Sequence, residues 1–140
     1  MIRTAALALF AAAAIPTGAL AQVCAGADTA VTKITVVKVT HTQYANVYHV
    51  AATVTNLGSE AQSKNVLQFV DVLQYGNRLD DVGMPPLGVG EKYTYNYLFM
   101  RSRDAGPGTT TLLFHVRFAQ PVPPGREDCN PSNDHMSISF

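Results

Sequence analysis

The sequence predicts an all-β protein: a seven-stranded antiparallel β-sandwich behind an N-terminal export leader. Three observations carry that prediction. No segment beyond residue 21 sustains the roughly 3.6-residue apolar period of a helix. Short runs rich in Val, Ile, Thr, Tyr and Phe recur instead, several with two-residue alternation. Gly, Pro and Asn clusters punctuate them as turns.

The leader comes first. Met1-Ile2-Arg3 is a short basic start, residues 5–15 (AALALFAAAAI) are unbroken apolar sequence, and Pro16-Thr17-Gly18 breaks any helix there. Ala19-Leu20-Ala21 then supplies small-x-small before Gln22. That order is the pattern of a secretory signal peptide cut after Ala21. Residues 1–21 are therefore expected to be a signal peptide and 22–140 one domain, exported to the periplasm or the cell exterior. The cut falls two positions too early for lipid attachment at Cys24. No later stretch approaches the ~18 apolar residues of a membrane span, so no transmembrane segment is expected.

Composition narrows the partners. Lys and Arg number 10 and Asp and Glu 10, so loss of Arg3 leaves a net charge near −1. A near-neutral surface argues against nucleic acid and anionic lipid, which need a basic field. With 47% hydrophobic and 14% charged residues, the chain can fill a core rather than stay disordered.

Strand by strand, residues 34–40 (ITVVKVT) open the domain, and the apolar parity switches between Val36 and Val37, as a bulge or a strand shared between sheets requires. Tyr48, Val50, Ala52 and Val54 alternate with polar or small residues and define a half-buried strand, closed by Asn56-Leu57-Gly58. Residues 66–75 are nearly continuous apolar sequence, expected to be a central strand. Gly76-Asn77 is read as the turn into a weaker strand carrying Leu79, Val82 and Met84, which Pro85-Pro86 ends. Residues 87–91 (LGVGE) make a tight connection. Tyr93, Tyr95, Tyr97 and Phe99 share one strand face; after the polar loop 101–108 (RSRDAGPG), Leu112, Phe114, Val116 and Phe118 share another. Residues 121–133 read as a long loop, and Met136, Ile138 and Phe140 as a last strand running to the end of the chain. Seven strands at this spacing have the rhythm of an immunoglobulin-like sandwich.

Cys24 and Cys129 are the only cysteines. In an oxidising compartment a disulfide is the default. Each lies seven residues ahead of an apolar position, Val31 or Met136, in the first or last strand. If those strands pair in parallel, as in many such sandwiches, the sulfurs meet. A Cys24–Cys129 bond is predicted.

Four segments carry a resemblance. VAATVTNLGS (50–59), VDVLQYGNRLDDV (70–82), LGVGEKYTYNYLF (87–99) and DCNPSNDHMSISF (128–140) are similar to the second strand, the central hairpin, the leucine–glycine–acidic turn and the closing segment of CARDB domains, the cell-adhesion-related domains found in bacteria. Val89 stands where that family has proline, Pro131 where an acidic residue is common, and Asp134 where a second asparagine is usual. The resemblance implies an extracellular seven-stranded sandwich serving adhesion or interaction.

Candidate chemistry is sparse. Asp128, Asn130, Asn133 and Asp134 offer the hard oxygens that Ca²⁺ takes. The plainer reading is a turn whose Asx side chains bond their own backbone, since the glycine of an EF-hand loop is missing and Pro131 stiffens the segment. Asp128, Asn130 and Asp134 are kept as metal candidates, with calcium the one cofactor considered. His41, His49, His115 and His135 have no metal-binding spacing along a strand, and His49 and His115 take outward parity. Ser59, Ser63, Ser102 and Ser132 lie in loops without a nucleophile elbow. Adjacent Asp80 and Asp81 point to opposite faces. Tyr93, Tyr95 and Tyr97 read as core rather than a stacking platform. Arg101, Arg103 and Asp104 form the candidate contact loop. These residues point to a non-catalytic binding or adhesion module of the bacterial envelope, with a protein or surface-polymer partner met through loops or an edge strand. The second reading is an inhibitor or regulator of an envelope hydrolase.

Overall fold

A computed structural model describes residues 24–140; the expected leader 1–21, with Gln22 and Val23, lies outside them. Seven strands form two antiparallel sheets. β1 (Thr29–His41), β2 (Ala45–Asn56) and β5 (Lys92–Ser102) make one, in the order β1-β2-β5. β3 (Gln68–Gln74), β4 (Asn77–Met84), β6 (Thr111–Phe118) and β7 (His135–Ser139) make the other, in the order β4-β3-β6-β7. Among the described residues the only helical element is a 3₁₀ turn, Pro131–Asn133.

The two-residue alternation does the sorting. Val50, Ala52 and Val54 of β2 and Tyr95 and Phe99 of β5 face Val70 and Val72 of β3 and Leu112, Phe114 and Val116 of β6 in one core. Each Val, Leu or Phe buried there contributes about 1.5–3 kcal/mol. The tyrosine stripe is core: Tyr95 is buried and Tyr93 and Tyr97 pack half-buried against it. Thr94, Asn96 and Leu98 between them are exposed.

One local reading holds in its bulge form, and three need adjustment. The parity switch in β1 is a bulge at Val36/Lys38, which turns Val37 outward, and a second shift lies at Val31/Lys33. The β3–β4 turn is Tyr75-Gly76 rather than Gly76-Asn77; both have positive φ, 50° and 79°, as the preferred two-residue hairpin turn requires. On β4 the shift between Val72 and Leu73 leaves Leu79 exposed and sets Asp80, not Leu79, opposite Val72. There the Tyr95 hydroxyl donates to Asp80 Oδ2 at 2.5 Å; burial first, and Asp80 second, push that phenol well above its ordinary value. Finally, β7 stops at Ser139, yet Phe140 is buried, with its ring centroid 4.6 Å from that of Tyr48 and 5.1 Å from that of Phe99.

The first and last strands do not pair. β1 bonds β2 and β7 bonds β6; they are facing edges of opposite sheets. The expected parallel ladder is absent: β1 pairs only with β2 and β7 only with β6, and each ends its own sheet.

Candidate functional site

The end of the fold where β1 and β7 begin holds most of the buried polar chemistry. Cys24 and Cys129 are bonded across 105 positions, as the sequence predicts, but loop segments bring them together. The Cys129 amide donates to Ala27 O at 3.0 Å, and the Thr29 amide to Asp128 Oδ1 at 2.7 Å. Asp128 Oδ2 accepts from the Asn130 amide at 3.0 Å. Asp128 is thus an Asx turn that also fastens the start of β1.

Asn56, the last residue of β2, is fully buried and saturated. Its Oδ1 accepts from the Asp28 and Gly58 amides, both at 3.0 Å, and its amide donates to Glu60 O at 2.8 Å and Leu87 O at 3.1 Å. One side chain thereby ties three loops. Gly58 completes the seam, because a Cβ there would lie 2.1 Å from Gly26 O. Asn56→Ala is expected to cost about 3 kcal/mol, since it strands two buried donors and two acceptors. Urea unfolding checks this; a loss under about 1 kcal/mol would mean that water replaces those bonds.

Beside this seam, Asp28, Asn133 and Asp134 meet. Asn133 Nδ2 donates to Asp28 Oδ2 at 3.3 Å. Asp28 and Asp134 are 5% and 6% exposed, and one oxygen of each, with Asn133 Oδ1, has no hydrogen-bond donor. Burial first, then the charges of Asp128 and Asp28, push the Asp134 carboxyl up to about 7. Burial also raises Asp28, opposed by the Asn133 hydrogen bond. Of the three metal candidates, Asp128 is occupied by backbone amides and Asn130 Oδ1 accepts from Ser132 Oγ at 2.6 Å. Only Asp134 has a free buried oxygen; Asp28 and Asn133 supply the others. Among the described residues no three His, Cys, Asp or Glu side chains are placed to hold a metal ion together. A cleft of about 460 Å³ opens next to the disulfide, between Gly26, Ala61, Ser63, Phe118, Arg126 and Cys129.

The outer face of the four-stranded sheet holds a second polar array that parity along single strands does not reveal. Register sets Asp81, Asp71, His115 and His135 in one row across β4, β3, β6 and β7. Asp71 lies on the outward parity yet is only 2% exposed. Arg117 covers it, with Nε at 2.8 Å from Oδ2 and Nη2 at 3.2 Å from Oδ1, and Arg78 Nε lies 3.4 Å away. Arg117 also reaches Asp81 at 3.5 Å and stacks 4.7 Å over Phe69. His115 is half-buried, and desolvation lowers its pKa, opposed by Asp71. The His115 and His135 ring centroids are 6.5 Å apart. The matching parity of Asp71 and Arg117 was the available signal; the strand pairing that joins them was not.

The loop after β5 lies at the opposite end. Arg101 is buried and holds that loop from beneath, through Gly106 O, Thr109 Oγ1 at 2.8 Å and Thr110 Oγ1 at 3.3 Å. Arg103 and Asp104 are exposed. Ser63, Ser102 and Ser132 bond within their own turns, Ser59 bonds across to Cys24 and Gly26, and none of those bonds involves a histidine.

The arrangement defines an all-β protein of two stacked antiparallel sheets, with a disulfide joining the segment ahead of β1 to the segment ahead of β7. No family model, curated protein or solved structure matches the chain. Among the described residues no helix is long and apolar enough to cross a membrane.

Proposed function

We propose that this chain is an exported, non-catalytic binding module of the bacterial envelope, of the CARDB kind its segments resemble, and that it holds a protein partner by strand addition at β5. The strand orders β1-β2-β5 and β4-β3-β6-β7 support an immunoglobulin-like reading. The disulfide fits an oxidising compartment.

The observation that carries the reading is the state of the four sheet edges. β1 has two register shifts and the exposed Lys33 and Lys38. β4 carries Arg78, Asp80 and Asp81, and β7 has only 5 residues. These are the devices that protect an edge from pairing. β5 has none of them: it runs 11 residues, its register with β2 is unbroken, and no charge lies between Lys92 and Arg101. Its outer face presents Leu98 at 61% and Met100 at 70% exposure. Backbone pairing would supply affinity there, and these side chains selectivity.

A photoreactive residue replacing Leu98 should crosslink a partner in intact envelopes, and one replacing Ser137 on β7 should not. Leu98→Lys should weaken the captured complex at least about tenfold, a loss of about 1.4 kcal/mol, with the melting temperature unchanged. Equal crosslinking from both edges would sink the edge reading. The inhibitor reading is favoured by one observation, the Arg101 anchor that holds the 103–110 loop. Its signature is loss of an envelope hydrolase's activity on mixing, reversed by Arg103→Glu.

A further inference from the structure

Three buried acceptor oxygens have no donor on the segments where the strap 24–28 meets the start of β7, Asp28 Oδ1, Asn133 Oδ1 and Asp134 Oδ1; Asn133 bonds Asp28 directly at 3.3 Å, and the Asp28 charge acts on the Asp134 carboxyl. Asp28 and Asp134 are more than nine-tenths buried, and Asp128 stands beside both. The ion pairs among the described residues all involve Asp71 or Asp81, so no side-chain cation balances this group. Burying ionised carboxylates without a counter-charge costs several kcal/mol each. The donors are all oxygens, which selects a hard cation. Mg²⁺ requires near-ideal octahedral geometry, whereas Ca²⁺ accepts irregular sets of carboxylates, amide oxygens and water. Two carboxylates and one amide oxygen, with no third carboxylate free, match the second description.

We propose that Asp28, Asn133 and Asp134 form a calcium site, completed by water, that fastens the N-terminal strap to the β6–β7 side of the fold. Asp128 contributes its charge while its oxygens remain on the Thr29 and Asn130 amides. The half-buried Asn133 and Asp128 leave an approach from solvent. The ion would close the seam that the disulfide and Asn56 close from their own sides. Affinity in the range of extracellular modules, about 10⁻⁴–10⁻³ M, is expected.

The test is calorimetry and thermal melting of the oxidised protein at neutral pH, in chelator, in millimolar CaCl₂ and in equal MgCl₂. Calcium should release or absorb measurable heat at one site per chain and raise the melting temperature by about 5–10 °C, with magnesium giving less than half of that. Asp134→Asn should melt no lower than the parent in chelator, because it removes a buried charge, and should lose the calcium shift. Asn133→Ala, which leaves both carboxylates in place, should weaken calcium at least fivefold. An unmoved melt together with absent calcium heat overturns the site. So does a folded Asp134→Asn variant that keeps the full calcium response.

Discussion

Replacing Cys24 and Cys129 together with alanine is expected to lower stability by about 4–5 kcal/mol. The bond closes 105 positions, so its loss frees most of the described chain to expand when unfolded, and loop closure of that length is where chain entropy is largest. The folded state loses less. Cys129 N to Ala27 O, Thr29 to Asp128 and the Asn56 bonds still hold the strap, so the reduced protein should keep its strands and melt sooner. Urea unfolding of the double variant should show a lower midpoint and a steeper slope, because its unfolded state exposes more surface. A loss below about 1 kcal/mol would show that the unfolded chain is already held compact without the bond.

Stability in chelator is expected to fall as pH rises from about 4 to about 7. The Asp134 carboxyl ordinarily titrates at 3.8 and is pushed to about 7 in the fold, by burial and by Asp128 and Asp28. Its folded value is the higher one, so between those pH values the native protein keeps a proton that the unfolded chain has released. Stability must then decrease with pH and level off above about 7. The full span is worth at most about 4 kcal/mol. Asp28, raised by burial, acts in the same direction. His115 acts oppositely: desolvation lowers its value, so its contribution is lost as pH falls below the ordinary 6.5. Asp134→Asn separates the two, since it should flatten the decline above pH 5 and leave the histidine limb. A wild-type melting temperature that climbs steadily from pH 4 to pH 7 would contradict the assignment.

The strands were legible because each alternating run has one answer. Val50, Ala52 and Val54 can face only one way, and the same holds for Leu112, Phe114 and Val116. The Tyr93–Phe99 stripe was placed in the core by shared parity with a phenylalanine. Errors fell where a single residue shifts the register, at Tyr75-Gly76 and at Leu79, because pairing across strands decides which of two adjacent residues turns. The candidate site was legible only in part. Asn133 and Asp134 were both named, but their partner Asp28, 106 positions from Asp134 in the chain, was not. Arg101 was read as a contact group and is the anchor beneath its loop.

By itself the sequence determined the all-β class, the number of strands, their inward faces and the Cys24–Cys129 pair. These depend on local periodicity and on there being only two cysteines. The tertiary structure alone decided that β1 and β7 sit on opposite sheets, that Asp71 lies covered by Arg117, and that Asp28, Asn133 and Asp134 share one buried knot. The physical reason is that a strand's side-chain period sets which face each residue takes, whereas hydrogen-bond pairing between distant strands sets which faces meet.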